Sequence, residues 1–434
     1  MRRLLATIAL ALAVAIPAGA QERGGPTADD VHEMERLRFD FGPLRPGRNG
    51  DKTAPDAANF DEARVGNLVP PPLFETEIDG TRQGWMERRK HLQQLVEDNW
   101  TGHIPDSVAD FRIVWHKQKS GKLLNRRYDE EQWVGQIIGK DGAMGPVIDA
   151  TITSSRNAQG APAFIEYTYI WPPGFSLGGN GPAPPSTRQM ALDRGWAHVA
   201  YRVQLLQADT AAQMEQGVIG LARWPRERHD WGALRAWGWG ASRLREELAK
   251  DARIDGSRIT LGGHSRFGKA VLVAAAFDHE FADALVSSSG AGGAKLMRRD
   301  FGEHWNNMAG SYAFHWYTPQ VMEYAGHKSV ADLPVDAHTL IALRAPLPLF
   351  VSSGLAEKGD DWVDPKGMFV ATALARPAWR VFGAEVFESD GETMPEVLKG
   401  HTETPLAFYQ HDQGHVMWAA MEDFLDHAEA NWGR

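Results

Sequence analysis

The run Arg258-Ile259-Thr260-Leu261-Gly262-Gly263-His264-Ser265-Arg266-Phe267-Gly268-Lys269-Ala270 constrains this chain more than any other stretch. A short β-branched run meets two glycines and a serine, and an apolar helical segment follows over 270–277. Strand, sharp turn and helix in that order predict a nucleophile elbow, which holds its serine strained and clear of the backbone at the top of a sheet. Glycine before the turn removes a side chain that would collide with it. The common form of such elbows places a second glycine two residues after the serine. Here it stands three residues after, as Gly263-x-Ser265-x-x-Gly268.

Around the elbow the chain alternates strand and helix. Strand-like runs lie at 163–170, 197–203, 284–288, 347–351 and 406–409. Helical patterns cover 186–194, 231–248, 365–382 and 418–432. That alternation specifies a mostly parallel sheet with helices on both faces, hence a single three-layer α/β domain. Upstream, a helical spacing covers 82–99, and strand-like stretches at 111–115, 132–139 and 147–153 suggest antiparallel entry strands. No internal repeat, low-complexity block or second domain is visible in the 434 residues. The catalytic domain is expected over 76–434. Residues 21–75, rich in Gly, Pro and Asp, read as an extended arm that wraps the domain or is partly disordered.

Residues 1–20 read as a cleavable leader, with Arg2 and Arg3, an apolar stretch and Ala18-Gly19-Ala20 before Gln21. The expectation is a secreted or periplasmic protein cut between Ala20 and Gln21. The apolar run is too short for a bilayer span. A formal net charge of -10 argues against nucleic acid and anionic membranes as partners. The absence of cysteine excludes disulfides, thiolate catalysis and cysteine-bound metal centres. No organic cofactor or metal is implied, and the chain reads as a monomer.

A serine becomes a nucleophile when a base takes its proton and a third group holds that base in the right tautomer. In the α/β-hydrolase fold these partners follow in the order Ser, acid, His. They sit beyond the carboxyl ends of later strands. The base candidate is His415, after the last strand. His411, four residues earlier, offers a metal pair as the alternative, but a strand end containing glycine does not put the two on one face. The acid lies in Gly359-Asp360-Asp361-Trp362-Val363-Asp364-Pro365. Asp364 before proline looks like a helix N-cap, leaving Asp360 or Asp361. The developing oxyanion needs donors. The backbone N–H and guanidinium of Arg266 are candidates, and 171–175 could add another backbone donor.

With these residues in order, the chain resembles the glucuronoyl esterases, carbohydrate esterases of plant-cell-wall degradation. Their elbow Gly-x-Ser-Arg-x-Gly-Lys is matched from Gly263 to Lys269. Further matches are Ser289-Gly290-Ala291-Gly292-Gly293-Ala294, Gly302-Glu303, the stretch from Gly359 to Gly367, and Gly414-His415. The resemblance covers the chain from about Arg82 onward and implies an α/β-hydrolase fold. It further implies attack by Ser265, His415 as base then acid, and Arg266 at the oxyanion. Lys269, Glu303 and Trp362 would contact the glucuronoyl ring. The bond cut would join a glucuronic acid of glucuronoxylan to an alcohol, in the plant wall a lignin alcohol. Two departures stand out. His264 occupies a position that is cysteine in fungal members, and Ser288 one where many members carry a glutamate as the triad acid. Bacterial relatives instead have an aspartate two places before the tryptophan, which selects Asp360. The alternatives are an acetyl-xylan or other carboxylesterase of the same fold, and a carbohydrate-binding relative with weak catalysis.

Overall fold

The computed structural model describes residues 25–66, 69–119, 127–170 and 185–432. The leader at 1–20 with its cut site, and the proposed donor loop at 171–175, lie outside the described residues. Nine strands form one sheet: β1 (Arg112–Lys119), β2 (Tyr128–Ile138), β3 (Met144–Ser155), β4 (Ala161–Tyr167), β5 (Ala197–Tyr201), β6 (Ile254–His264), β7 (Ala284–Ser287), β8 (Leu349–Ser353) and β9 (Leu406–Gln410). Their spatial order is β1-β2-β3-β5-β4-β6-β7-β8-β9. β1 pairs antiparallel with β2, β2 with β3 and β3 with β5, and every pairing from β5 to β9 is parallel.

Side chains on a strand alternate between faces, and here the alternation separates two cores. Ala163 and Ile165 of β4, Ala284 and Val286 of β7, and Leu349 and Val351 of β8 join the larger cluster. Their neighbours Phe164, Leu285 and Phe350 join the smaller one, with Phe424, Leu425 and Ala428 of the helix Met421–Asn431. The larger core also takes the helices Ala233–Leu248, Arg266–Phe277 and Pro365–Arg380. Both faces are therefore covered, giving three layers.

The segment expected to run extended contains a helix at Ala28–Arg38, closed by a capping box in which Thr27 and Asp30 satisfy each other's backbone. It is tied down by Glu35, which pairs with Arg226 at 2.7 Å, both side chains fully buried. The elbow helix starts at Arg266 rather than Ala270. Arg266 therefore lies in the first turn, where a helix has N–H groups without intrahelical partners.

Candidate active site

Two strands and a helix hold the serine in place. Ser265 follows β6 with φ 58° and ψ −126°, a backbone that an L-residue keeps only when its surroundings enforce it. Its N–H donates to Ser287 O of β7 at 2.9 Å, and its carbonyl accepts from Lys269 N–H at 3.1 Å. The glycines make room for the turn. A Cβ on Gly263 would lie 2.5 Å from Phe267 O, and one on Gly268 only 2.8 Å from Ser287 O. The second contact explains the displaced glycine, because the third residue after the serine is where the elbow helix meets the backbone of β7.

His415 follows β9 by five residues and Asp360 follows β8 by seven. The Nδ1 of His415 lies 2.6 Å from Asp360 Oδ1. Asp360 is fully buried, and its other oxygen accepts Gly354 N–H at 2.6 Å and the Ser288 hydroxyl at 2.9 Å. One oxygen orients the imidazole and the other is itself held. A carboxylate at Nδ1 fixes the proton there and leaves Nε2 as the basic nitrogen. The neighbouring Asp361 points elsewhere: it pairs with Lys52 at 2.5 Å and accepts Trp362 N–H at 3.0 Å. Asp364 caps the helix Pro365–Arg380 through Gly367 N–H, with Arg299 at 2.8 Å. His411 is buried, and its Nδ1 accepts Gln413 N–H at 3.3 Å. Among the described residues no group of three His, Asp or Glu side chains is placed to hold a metal ion.

The residue before the serine also faces the imidazole. The His264 ring sits 4.2 Å from that of His415, centroid to centroid. Burial, then the neighbouring histidines, pushes its basicity far below the usual histidine value, so it stays neutral against the base.

Ser265, Arg266, Lys269, Glu303, Trp362 and His415 line one cavity of about 460 Å³. Arg266 is aimed by Asp209, whose Oδ2 lies 2.7 Å from Nη1. Asp209 in turn accepts from Trp316 Nε1 at 2.6 Å and stands 3.3 Å from His315 Nε2. Burial raises the Asp209 carboxyl, but His315 and Arg266 outweigh it and bring its pKa down to about 2. The guanidinium also lies 5.5 Å from the Trp316 ring and 5.8 Å from that of Tyr312, distances suited to cation–π attraction. Deeper in, Lys269 Nζ donates to Glu303 Oε2 at 2.7 Å and to Ala291 O at 2.6 Å. Burial lowers the Lys269 ammonium from its ordinary value, and Glu303 opposes that shift. The Glu303 backbone is pinned as well, with its N–H on Trp362 O at 2.7 Å and its carbonyl on Lys295 Nζ at 2.5 Å.

Six of the seven residues singled out from sequence thus share one cavity, and Asp360 stands directly behind the imidazole. Sequence reasoning missed Asp209, Trp316 and Tyr312. Asp209 lies in the loop beyond the carboxyl end of β5, and that placement was the one available signal. Such a site offers a nucleophile, a base with a fixed tautomer, a fixed cation beside them, and a buried charged pair to read a polar substrate.

Comparisons with known proteins converge. The family model described as "Glucuronyl esterase, fungi" matches residues 146–383, more than half of the chain. A carbohydrate esterase, MZ0003, from an unknown prokaryotic organism is 26% identical over 86% of this chain and 92% of its own length. A 4-O-methyl-glucuronoyl methylesterase from Hypocrea jecorina is 30% identical over 56% of this chain and 50% of its own. Among solved structures, a CE15 glucuronoyl esterase from Teredinibacter turnerae T7901 superposes with a TM-score of 0.86. It is 32% identical and covers 94% of this chain and 100% of that one. A glucuronoyl esterase from Solibacter usitatus gives 0.74 at 26% identity, covering 86% and 100%.

Proposed function

The chain belongs to the CE15 glucuronoyl esterase family of carboxylic ester hydrolases, and from that premise we propose that it cleaves the ester between (4-O-methyl-)glucuronic acid of glucuronoxylan and an alcohol. The observation that carries this reading is the Arg266 guanidinium, fixed by Asp209 in the same cavity as Ser265, His415 and the Lys269–Glu303 pair. A bare acyl ester has no use for a buried Lys–Glu pair, whereas sugar hydroxyls need both donors and acceptors.

In the proposed reaction Ser265 Oγ attacks the ester carbonyl carbon as His415 Nε2 takes the hydroxyl proton. Negative charge gathers on the carbonyl oxygen, where Arg266 offers fixed positive charge that needs no rearrangement. Collapse expels the alkoxide, which takes the proton back from His415. Water, deprotonated by His415, then attacks the acyl-enzyme; the acyl–Oγ bond breaks, His415 returns the proton to Ser265, and the uronic acid leaves and gives its proton to solvent. Asp360 keeps the imidazole oriented throughout. Lys269, Glu303 and Trp362 hold the sugar.

The deciding experiment compares benzyl glucuronate with 4-nitrophenyl acetate as substrates of the purified protein. The uronate ester is expected to be favoured, and Ser265→Ala to abolish its cleavage. Faster turnover of the acetate would instead assign a general carboxylesterase, and equal activity of the Ser265→Ala variant would remove the serine from the chemistry. We further propose that the chain acts as a monomer outside the cytoplasm. N-terminal sequencing of the exported protein should begin at Gln21, and sedimentation should give a single-chain mass.

A further inference from the structure

Glu303 and Trp362, two of the residues assigned to the sugar, stand on separate segments, 300–307 and 361–363, and one stretch of the N-terminal arm touches both. Gly47 lines the cavity itself. Next to it, Arg48 N–H donates to Asn307 Oδ1 at 3.1 Å and Arg48 O accepts from Asn307 Nδ2 at 2.8 Å. Asn306 Nδ2 donates to Pro46 O at 3.2 Å. A Cβ on Gly50 would lie 3.4 Å from the Trp362 ring, so the arm's backbone passes close over the indole. Lys52 then pairs with Asp361 at 2.5 Å, and Asp361 accepts the N–H of Trp362. Finally, Asn59 O accepts Gly302 N–H at 2.8 Å and Asn59 Nδ2 donates to Asp300 O at 2.6 Å, beside Glu303. The stretch between is closed on itself by Asn49 N–H to Asp56 O at 3.0 Å and Ala58 N–H to Asn49 O at 2.8 Å.

We propose that residues 46–59 are a positioning element of the sugar subsite, in which Gly50 and Lys52 set the indole of Trp362 and so tune affinity for the uronate ring. This rests on Trp362 facing the sugar, as in the reading above. Among the described residues no hydrogen bond or ion pair joins 46–59 to Ser265, Asp360 or His415 directly, and any disturbance passed through Asp361 to its neighbour Asp360 would slow every ester alike. Lys52 is largely exposed, at 62% of its side-chain surface, so its ion pair adds little to folding. What the pair does is fix the loop from which Trp362 projects. A residue that only supports the fold would change every substrate alike. A residue that positions Trp362 changes sugar esters selectively.

The test measures kcat/KM for benzyl glucuronate and for 4-nitrophenyl acetate in the full chain, in Lys52→Met, Lys52→Arg and Gly50→Val, and in Trp362→Ala as reference. Lys52→Met and Gly50→Val are expected to lower the uronate-to-acetate ratio about three- to tenfold, the loss appearing in KM, as removal of uniform binding does. Lys52→Arg should restore the ratio. Calorimetry with methyl glucuronate on a Ser265→Ala background should show the same factor in affinity, without turnover. A ratio within about twofold of wild type in both arm variants, while Trp362→Ala lowers it, overturns the role of the arm alone. A wild-type protein that leaves uronate esters intact overturns the functional reading and this inference together.

Discussion

Ser288 shows how a single side chain can support the acid of a neighbouring strand. It is fully buried, holds φ at 44°, and donates its hydroxyl to Asp360 Oδ2. At the position where the resemblance led one to expect a glutamate, the chain thus has a donor that braces the aspartate. Asp360→Asn should lower kcat by three to four orders of magnitude, since an amide favours the wrong imidazole tautomer. Ser288→Ala removes one hydrogen bond to a carboxylate, worth about 1.5 kcal/mol, so a loss of about tenfold is expected. Steady-state assays distinguish the two, and equal losses would contradict this division of labour. The chemistry of the two aspartates alone leaves Asp360 and Asp361 open, and it is the resemblance, through the spacing to Trp362, that selects Asp360; the physical reason lies in the fold. There the choice is made by Gly354 and Ser288, which reach Asp360 from other parts of the sheet, and by Lys52, which draws Asp361 outward. Asp209 carried no motif at all, because its role depends on a contact 57 residues away in sequence.

Among elements, the strands of the parallel half were the most legible, since apolar runs too short for a helix and bounded by turn residues are decided by their length. The start of the elbow helix was obscured by Arg266 and Lys269, which interrupt an apolar pattern because they face the cavity rather than solvent. The stretch from 289 to 346 showed no period. Its helices are too short to show a period: Trp305–Ala309 has five residues, and Ala337–Ala342 has six, all buried, so that no polar face marks it. The helix Ala28–Arg38 escaped for the opposite reason. Only Val31 and Glu35 are buried, so it shows no broad apolar stripe, and its one fully buried attachment besides Val31 is ionic. Arg226 donates to both Glu35 oxygens and also to Tyr317 O at 2.6 Å and Trp231 O at 3.2 Å. Arg226→Met would leave a buried carboxylate uncompensated and should cost about 3–5 kcal/mol in denaturant unfolding. A loss below about 1 kcal/mol would show that the helix is not fastened by this pair.

At the scale of the whole molecule, buried histidines set the response to acid. His279 is held at about 4, by burial and then by Arg89 and Arg344. His304 is also held at about 4, by burial and then by Lys295. Both lie below the ordinary histidine value, so between about pH 6.5 and 4 the unfolded chain binds more protons than the folded one, and stability falls as pH falls. His427 works the other way. Burial opposes its charge, but Asp283 at 2.7 Å outweighs that and raises it, so its contribution is complete at low pH and is lost as pH rises through the folded value. Among the described histidines the depressed ones outnumber it, and their protonation should make the melting temperature decline from pH 7 to pH 4. A flat or rising profile would contradict these protonation states.

In the proposed reaction the anchored guanidinium has a cost that appears only after the bond is cut. The ester enters uncharged, but the spent acid leaves as an anion. It must depart from beside a cation that Asp209 keeps from swinging aside. Release rather than acylation should therefore slow the enzyme as product accumulates. Glucuronate should inhibit more strongly than its neutral methyl glycoside ester competes, and added salt should relieve that inhibition. Inhibition indifferent to ionic strength would mean that the departing acid does not feel Arg266.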